Sequence, residues 1–391
     1  MRHQAHFSAF IILAYCILFA GSIEAFQFPK IKFVGSYDEN EPINRVKRGP
    51  EETALLQQSV EEHCNKHNAF VRWEPQITES YEAAEVMFQE VAQRRNCVIS
   101  FPSLTRPADI NNICSVLQST KCKHMLGLDS VECELYPQSP APYIRIKFDG
   151  SIVCEANGNH STATEKADSA TKHWLKEFLG KYRLCPYTTS ASRAAVGLTS
   201  VGVPAGAVHI QVVEPTNSRS ESSTKEARLV SAFWTEVVAL MQSSEDEWAT
   251  SLVVFPEYDD DFLSFVAVCD DIIEATVFAT QATDVIGRAW FHPQYDADQV
   301  GHTNVIPGHA VPHKMVKGFM DSLHPELSEA IEFEELATSN NLVRHTPHAT
   351  INILRRSQLQ AASEYEKGLG AKRPKPNSIY VRNAIRLLKH K

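Results

Sequence analysis

No Cys-x-x-Cys pair occurs in the 391 residues, although nine cysteines are present, which argues against a structural zinc site built on paired thiolates. Positive charge is not in excess. The 38 Lys and Arg face 47 Asp and Glu, a net charge of −9, so the chain is no general nucleic-acid binder, whose affinity would rest on neutralising phosphates. Beyond the N-terminus, no apolar run approaches the roughly eighteen residues that a membrane helix needs. His309 and His313 have the spacing of a helical metal pair, yet Pro312 lies between them and Gly308 just before, which is incompatible with a helix there. What remains is ordinary in bulk: hydrophobic content is 43% and charged residues 22%, values of a globular chain. The length suits two globular parts plus a targeting segment.

That targeting segment is readable. Arg2, His3 and His6 precede an apolar run over residues 7–20, and the small residues Gly21, Ser22 and Ala25 follow. This is the layout of a secretory signal peptide spanning residues 1–25. Residues 26–48 end in Arg45-Val46-Lys47-Arg48, which reads as the dibasic border of a pro-segment. The junction Ala25-Phe26 also fits the start of a plastid transit segment. Asp38, Glu39 and Glu41 count against that alternative, because transit peptides are poor in acids. The secretory route is the expectation, with the plastid as the alternative. After signal removal no membrane span is expected.

Six cysteines (Cys64, Cys97, Cys114, Cys122, Cys133 and Cys154) fall within residues 49–156. An even cluster in an exported chain predicts disulfides whose pairing the sequence leaves open; six free thiols in a reducing compartment is the other reading. Asn159-His160-Ser161 is a glycosylation sequon on the same condition.

Residues 49–94 carry apolar positions at helical spacing, with Tyr81, Ala84, Phe88 and Val91 as the clearest stripe. Short strands are expected at 97–101 and 143–148, with a helix at 107–117 between them. Asp149-Gly150 reads as a hairpin turn leading into a strand at 151–154. The polar stretch 156–164 reads as the boundary of a Cys-rich α+β module. From Thr162-x-x-Glu165, a capping box, a helix runs towards Leu184-Cys185-Pro186, and a loop follows over 188–206. Strand and helix then alternate: strands at 208–213, 251–255, 285–291 and 350–354, helices at 224–242 and 259–280, and terminal helices at 357–367 and 379–390. The expected fold is α+β or α/β, with helices packed on a mixed four-stranded sheet and the smaller Cys-rich module preceding it. The second unit spans residues 165–391. Residues 296–343 are too long for a default connection and form a flap or an insertion.

Two strand ends carry the chemistry. Trp290-Phe291-His292-Pro293-Gln294-Tyr295 runs from a strand into a His-Pro turn, and His345-Thr346-Pro347-His348-Ala349-Thr350 runs from such a turn into a strand. In layered sheets, sites form where strand ends and loops converge. Cys185, His292 and His348 are therefore the candidate catalytic residues. A thiol can act as nucleophile, and an imidazole titrates near neutral pH as general acid or base. Tyr295, Thr350, Asn352 and Arg355 are candidate substrate-binding residues; the strand period of two sets Thr350 and Asn352 on one face, and Arg355 can hold an anion. A divalent metal on His292 and His348, completed by Asp296, Asp298 or His302, is the competing use of the same histidines. His302, His309, His313 and His324 otherwise read as loop residues.

The motifs Leu184-Cys185-Pro186-Tyr187, Phe291-His292-Pro293-Gln294-Tyr295, and Thr346-Pro347-His348-Ala349-Thr350 running into Ile353-Leu354-Arg355 resemble, in order, those of the domain of unknown function 1415 family over residues 165–365. The chain departs from that pattern in three places. His345 stands where the family usually has Arg, with Arg344 one place earlier; Ala349 replaces a Pro; and the segment between the last two motifs is longer. The family carries no established reaction, so the resemblance identifies a domain and leaves its activity open. Two functions fit. One is a hydrolase or transferase acting on a small polar metabolite through a Cys/His cleft. The other is a non-catalytic domain that binds a ligand or partner.

Overall fold

The computed structural model describes residues 54, 57–58, 70–134, 143–148, 162–185, 187–214, 224–300, 311–369 and 378–389. The signal and pro-segment, the 151–154 strand, the sequon, Cys64, Cys154, Pro186, His302 and His309 lie outside the described residues. Among the described residues the fold is α+β, with twelve helices and two mixed sheets of four and five strands.

The first sheet is built from β1 (Phe70–Trp73), β2 (Cys97–Ser100), β3 (Leu128–Glu134) and β4 (Tyr143–Phe148), in the order β1-β2-β4-β3. β1 and β2 are parallel, and β4 runs antiparallel to both of its neighbours. β4 therefore has partners on both edges, and the hairpin expected at Asp149-Gly150 lies outside the described residues. α1 (Ser80–Ala92) crosses from β1 to β2, and α2 (Ala108–Gln118) and α3 (Thr120–Leu126) cross from β2 to β3. The helical pattern expected over 49–94 thus covers α1, while residues 70–73 are a strand.

The second sheet holds the four expected strands and a fifth. β6 (Gly206–Val212), β7 (Trp248–Val254), β8 (Ile286–Phe291) and β9 (Thr350–Arg355) follow the order β6-β7-β9-β8, and the two-residue β5 (Arg193–Ala194) edges β6. β6 and β7 are parallel, while β9 is antiparallel to β7 and β8. Gly206 lets β6 begin against the next turn, because a Cβ there would run into the Glu245 carbonyl oxygen. α4 (Thr162–Leu175) continues as a π-helical stretch, Lys176–Lys181, and lies over the outer face of this sheet with Leu175, Phe178 and Leu179 buried.

α5 (Lys225–Gln242) covers the inner face. Thr224 caps it by accepting the Ala227 N–H, and Val230, Phe233, Trp234 and Val237 point into the core, each stabilising by roughly 1.5–3 kcal/mol. The next helix, expected over 259–280, begins later. α6 (Phe262–Val268) is capped by Asp261, which accepts the Ser264 N–H at 3.2 Å; a π-helical turn, Cys269–Glu274, leads into α7 (Ala275–Ala279). The helical layers of the two sheets face each other, α1 against α5 and α2 against α7. One apolar core accordingly runs from Ile144 through Phe88 and Phe233 to Ile351.

The long segment before β9 forms α8 (His313–Leu323), α9 (Pro325–Ala330) and α10 (Phe333–Leu342). They gather a separate cluster with α12 (Ser378–Leu388), in which Val316, Met320, Leu336 and Val381 are buried. α11 (Arg356–Gly368) leaves β9 directly. No helix among the described residues is long and apolar enough to cross a membrane.

The disulfide expectation does not hold for the described cysteines. Cys97, Cys114, Cys122 and Cys133 are all free thiols. The first three are core residues, behaving as small hydrophobes between helix and sheet.

Candidate active site at the strand ends

β7, β8 and β9 meet at one level, since Thr350 opens β9 opposite both Val254, the last residue of β7, and Phe291, the last of β8. The loops that leave or enter there are residues 255–261, 292–295 and 344–349. They are tied together by named bonds. Phe255 donates its N–H to the Ala349 carbonyl at 2.8 Å, and His292 donates its N–H to the Arg344 carbonyl at 3.1 Å. His345 Nε2 donates to the Tyr295 carbonyl at 3.1 Å. The two His-Pro turns therefore lie side by side, as expected from their motifs.

Their histidines do different things. His292 is fully buried, and both ring nitrogens are used: Nδ1 accepts the Gln294 N–H at 3.0 Å, which leaves Nε2–H to donate to the Tyr258 carbonyl at 2.8 Å. Phe262 and Phe265 flank the ring. Burial lowers its pKa, so the imidazole is neutral and pins the 255–261 loop. His348 is partly open, with its side chain 21% exposed. Its Nδ1 donates to Asp259 Oδ2 at 2.7 Å, while Asp259 Oδ1 accepts the Ala349 N–H at 2.9 Å. Nε2 carries no hydrogen bond to any described residue. Thr346 and Thr350 both donate their hydroxyls to the His348 carbonyl, the latter at 2.8 Å, which fixes the turn beneath the ring.

The acids of the 255–261 loop alternate in use. Glu257 pairs with Arg228, Asp259 with His348, and Asp261 with Lys225 at 3.0 Å. Arg228 and Lys225 both belong to the first turn of α5, so the loop is clamped between that helix and β9. Asp259, which carries the geometry of the site, is the residue that sequence reasoning did not single out.

Among the other candidates, Tyr295 is nearly buried, its ring against Phe262, and burial raises its pKa. Arg344 is also buried; Nη1 donates to the Trp290 carbonyl at 2.6 Å and the guanidinium lies over the Phe291 and Tyr295 rings. It supports the turn and presents no clamp. Asn352 accepts the Thr250 hydroxyl at 2.8 Å within the sheet. Arg355 sits at the opposite end of β9, where its guanidinium donates to the carbonyls of Leu240, Ser243 and Trp248. It closes the C-terminal end of α5 and is buried. Cys185 is half-buried beside the outer-face cluster that includes Val254 and Phe291, and no hydrogen bond joins it to His292 or His348. Asp296 and Asp298 turn towards His313, whose Nδ1 lies 3.1 Å from Asp298 Oδ2. Among the described residues no group of three His, Cys, Asp or Glu side chains is placed to hold a metal ion.

The strand-to-His-Pro turn and the helices before it are the decisive stretch. Residues 166–305 match the family described as Protein of unknown function (DUF1415). The DUF1415 match takes in α4 from its second turn, β6 to β8, the 255–261 loop and His292. It stops short of His348, which the same sheet supplies to the site. No curated protein and no solved structure matches the chain.

Proposed function

We propose that the DUF1415 segment and β9 together form a hydrolase or transferase site for a small polar metabolite, with His348 as general base and acid and Asp259 as its orienting partner. The observation that carries this reading is the 2.7 Å bond from His348 Nδ1 to Asp259. A carboxylate on Nδ1 fixes the tautomer and leaves Nε2 with the lone pair that accepts a proton. His292 does not share the role, because both of its nitrogens are already used inside the protein. The proton comes from a water or a substrate hydroxyl, since no described contact links Cys185 to His348.

The test uses the full chain and a panel of small esters, amides and phosphate esters. Turnover by the native protein, reduced about 100-fold or more in His348→Asn with ligand affinity kept within a few-fold, supports the reading. Turnover unchanged in that variant would place the chemistry elsewhere. A ligand bound without turnover, and released by the same substitution, favours the binding-domain alternative.

A further inference from the structure

The two sheets have the same construction. In the first, a strand, a crossover helix, a parallel strand, a second helical crossover and two further strands give the order β1-β2-β4-β3; in the second the same succession gives β6-β7-β9-β8. Parallel and antiparallel pairings agree at every position. Register agrees as well. Ser100 opposes Tyr143, the first residue of β4, as Val254 opposes Thr350, the first residue of β9.

Residue patterns follow the topology. Phe101-Pro102 ends the second strand of one unit and Phe255-Pro256 that of the other, and the next helix starts at the same spacing, at Ala108 and at Phe262. Both phenylalanines are fully buried. Met87-Phe88-Gln89-Glu90-Val91 of α1 corresponds to Phe233-Trp234-Thr235-Glu236-Val237 of α5. In each helix the glutamate is buried and bonds to a base on the first strand: Glu90 to Arg72 at 2.8 Å, Glu236 to His209 at 3.0 Å. A buried carboxylate needs such a partner, and both helices place one at the same point of the pattern.

The packing between the units is reciprocal. α1 meets its counterpart α5, α2 meets α7, and α3 meets the π-helical turn before α7. Since α2 corresponds to α6 with that turn, and α3 to α7, these three contacts exchange with one another, while α3 also touches α5 without a matching contact of α7 on α1. The exchange is the signature of an isologous two-fold interface.

We propose that residues 70–148 are a second copy of the fold unit at 206–355, serving as a built-in partner subunit, so that the chain is a one-site pseudodimer. The helical face of α5 to α7 is then a subunit interface whose occupant is a copy of the same unit. The N-terminal copy has lost the acid–base pair. Thr105 stands at the position of Asp259, and its N–H is taken up by the Thr78 carbonyl at 2.9 Å; in the sequence the residue two before the strand is Ala141, against His348 in the other unit. Its neighbour Arg106 donates across the interface to the Thr280 carbonyl at 2.9 Å. The strand end that forms the candidate site in one unit is used for packing in the other. None of this depends on His348 being catalytic.

The test keeps the whole chain and inserts a specific protease site at residue 158, between the units. After cutting, the fragments should co-elute as a 1:1 complex at about 1 μM, as expected of a large subunit interface. Native-state hydrogen exchange on the uncut chain should give α1 and α5 the same opening free energy. Fragments that separate while each keeps its circular dichroism, or an opening of α1 that leaves α5 protected, would overturn the partner-subunit assignment. An experimental structure in which the units superpose by a rotation far from about 180° would overturn the two-fold relation itself.

Discussion

Asp259 holds both a side chain and the backbone of the segment that enters β9: His348 Nδ1 at 2.7 Å and the Ala349 N–H at 2.9 Å. The carboxylate therefore sets the ring and the peptide beneath it together. Asp259→Asn keeps the volume and one acceptor, and turns the second oxygen into a donor facing Nδ1. Turnover should fall about 100-fold, with stability lower by about 1–3 kcal/mol. Steady-state kinetics beside urea unfolding separate the two effects, and a loss of stability with unchanged turnover would count against the orienting role.

His292 and His345 are both held below their ordinary pKa of 6.5 by burial. A base with a depressed native pKa binds fewer protons folded than unfolded, so the unfolded state gains protons as pH drops through 6.5 and stability falls with it. Asp270, raised to about 6 by burial, acts with the opposite sign below that pH. The histidine effect is therefore read most cleanly between about pH 7 and 6. Melting temperature should drop on acidification across that window, and His292→Gln should flatten the slope.

Arg355 closes the end of α5 by donating to the carbonyls of Leu240, Ser243 and Trp248, the first of which also accepts the Ser243 hydroxyl. Arg355→Met removes the donor they share and should cost about 3 kcal/mol. Arg355→Lys should recover less than half of the loss, because a single ammonium cannot reproduce the planar fork. Chemical denaturation of the two variants measures both.

Thiol alkylation mapped by mass spectrometry should modify Cys185 and Cys133, which are half-buried, well before the four buried thiols Cys97, Cys114, Cys122 and Cys269. Burial raises the pKa of Cys97, Cys122 and Cys269, which suppresses the reactive thiolate. Rapid modification of Cys97 in the native state would contradict the shared core.

Much of the second unit could be read from periodicity. β6 to β9 and α5 carry strong apolar alternation or stripes, and the His-Pro turns announced where three loops converge. Asp259 was hidden because Asp259, Asp260 and Asp261 look like the first turn of the following helix. The helix is in fact capped by Asp261, so its start at Phe262 leaves Asp259 in the loop; the cap residue just ahead of an apolar run was the available signal. Arg355 was assigned to ligand because nothing local reveals that its partners lie more than a hundred residues earlier. β1 is four residues long and has no alternation of its own to detect. The cysteines misled for a related reason: spacing along the chain says nothing about which thiols a core simply absorbs.

Among the described residues β8 has a single hydrogen-bonded neighbour, β9, and β9 is the last strand in sequence. A ribosome emerging from the message at β8 has made a strand with nothing to pair with until α8, α9 and α10 have been translated. During that interval one edge of β7 is open and Asp259 has no histidine to hold. Assembly of the cleft is thus postponed to nearly the end of synthesis, and a chain halted before residue 350 would be a substrate for chaperones and proteases rather than a partially working protein.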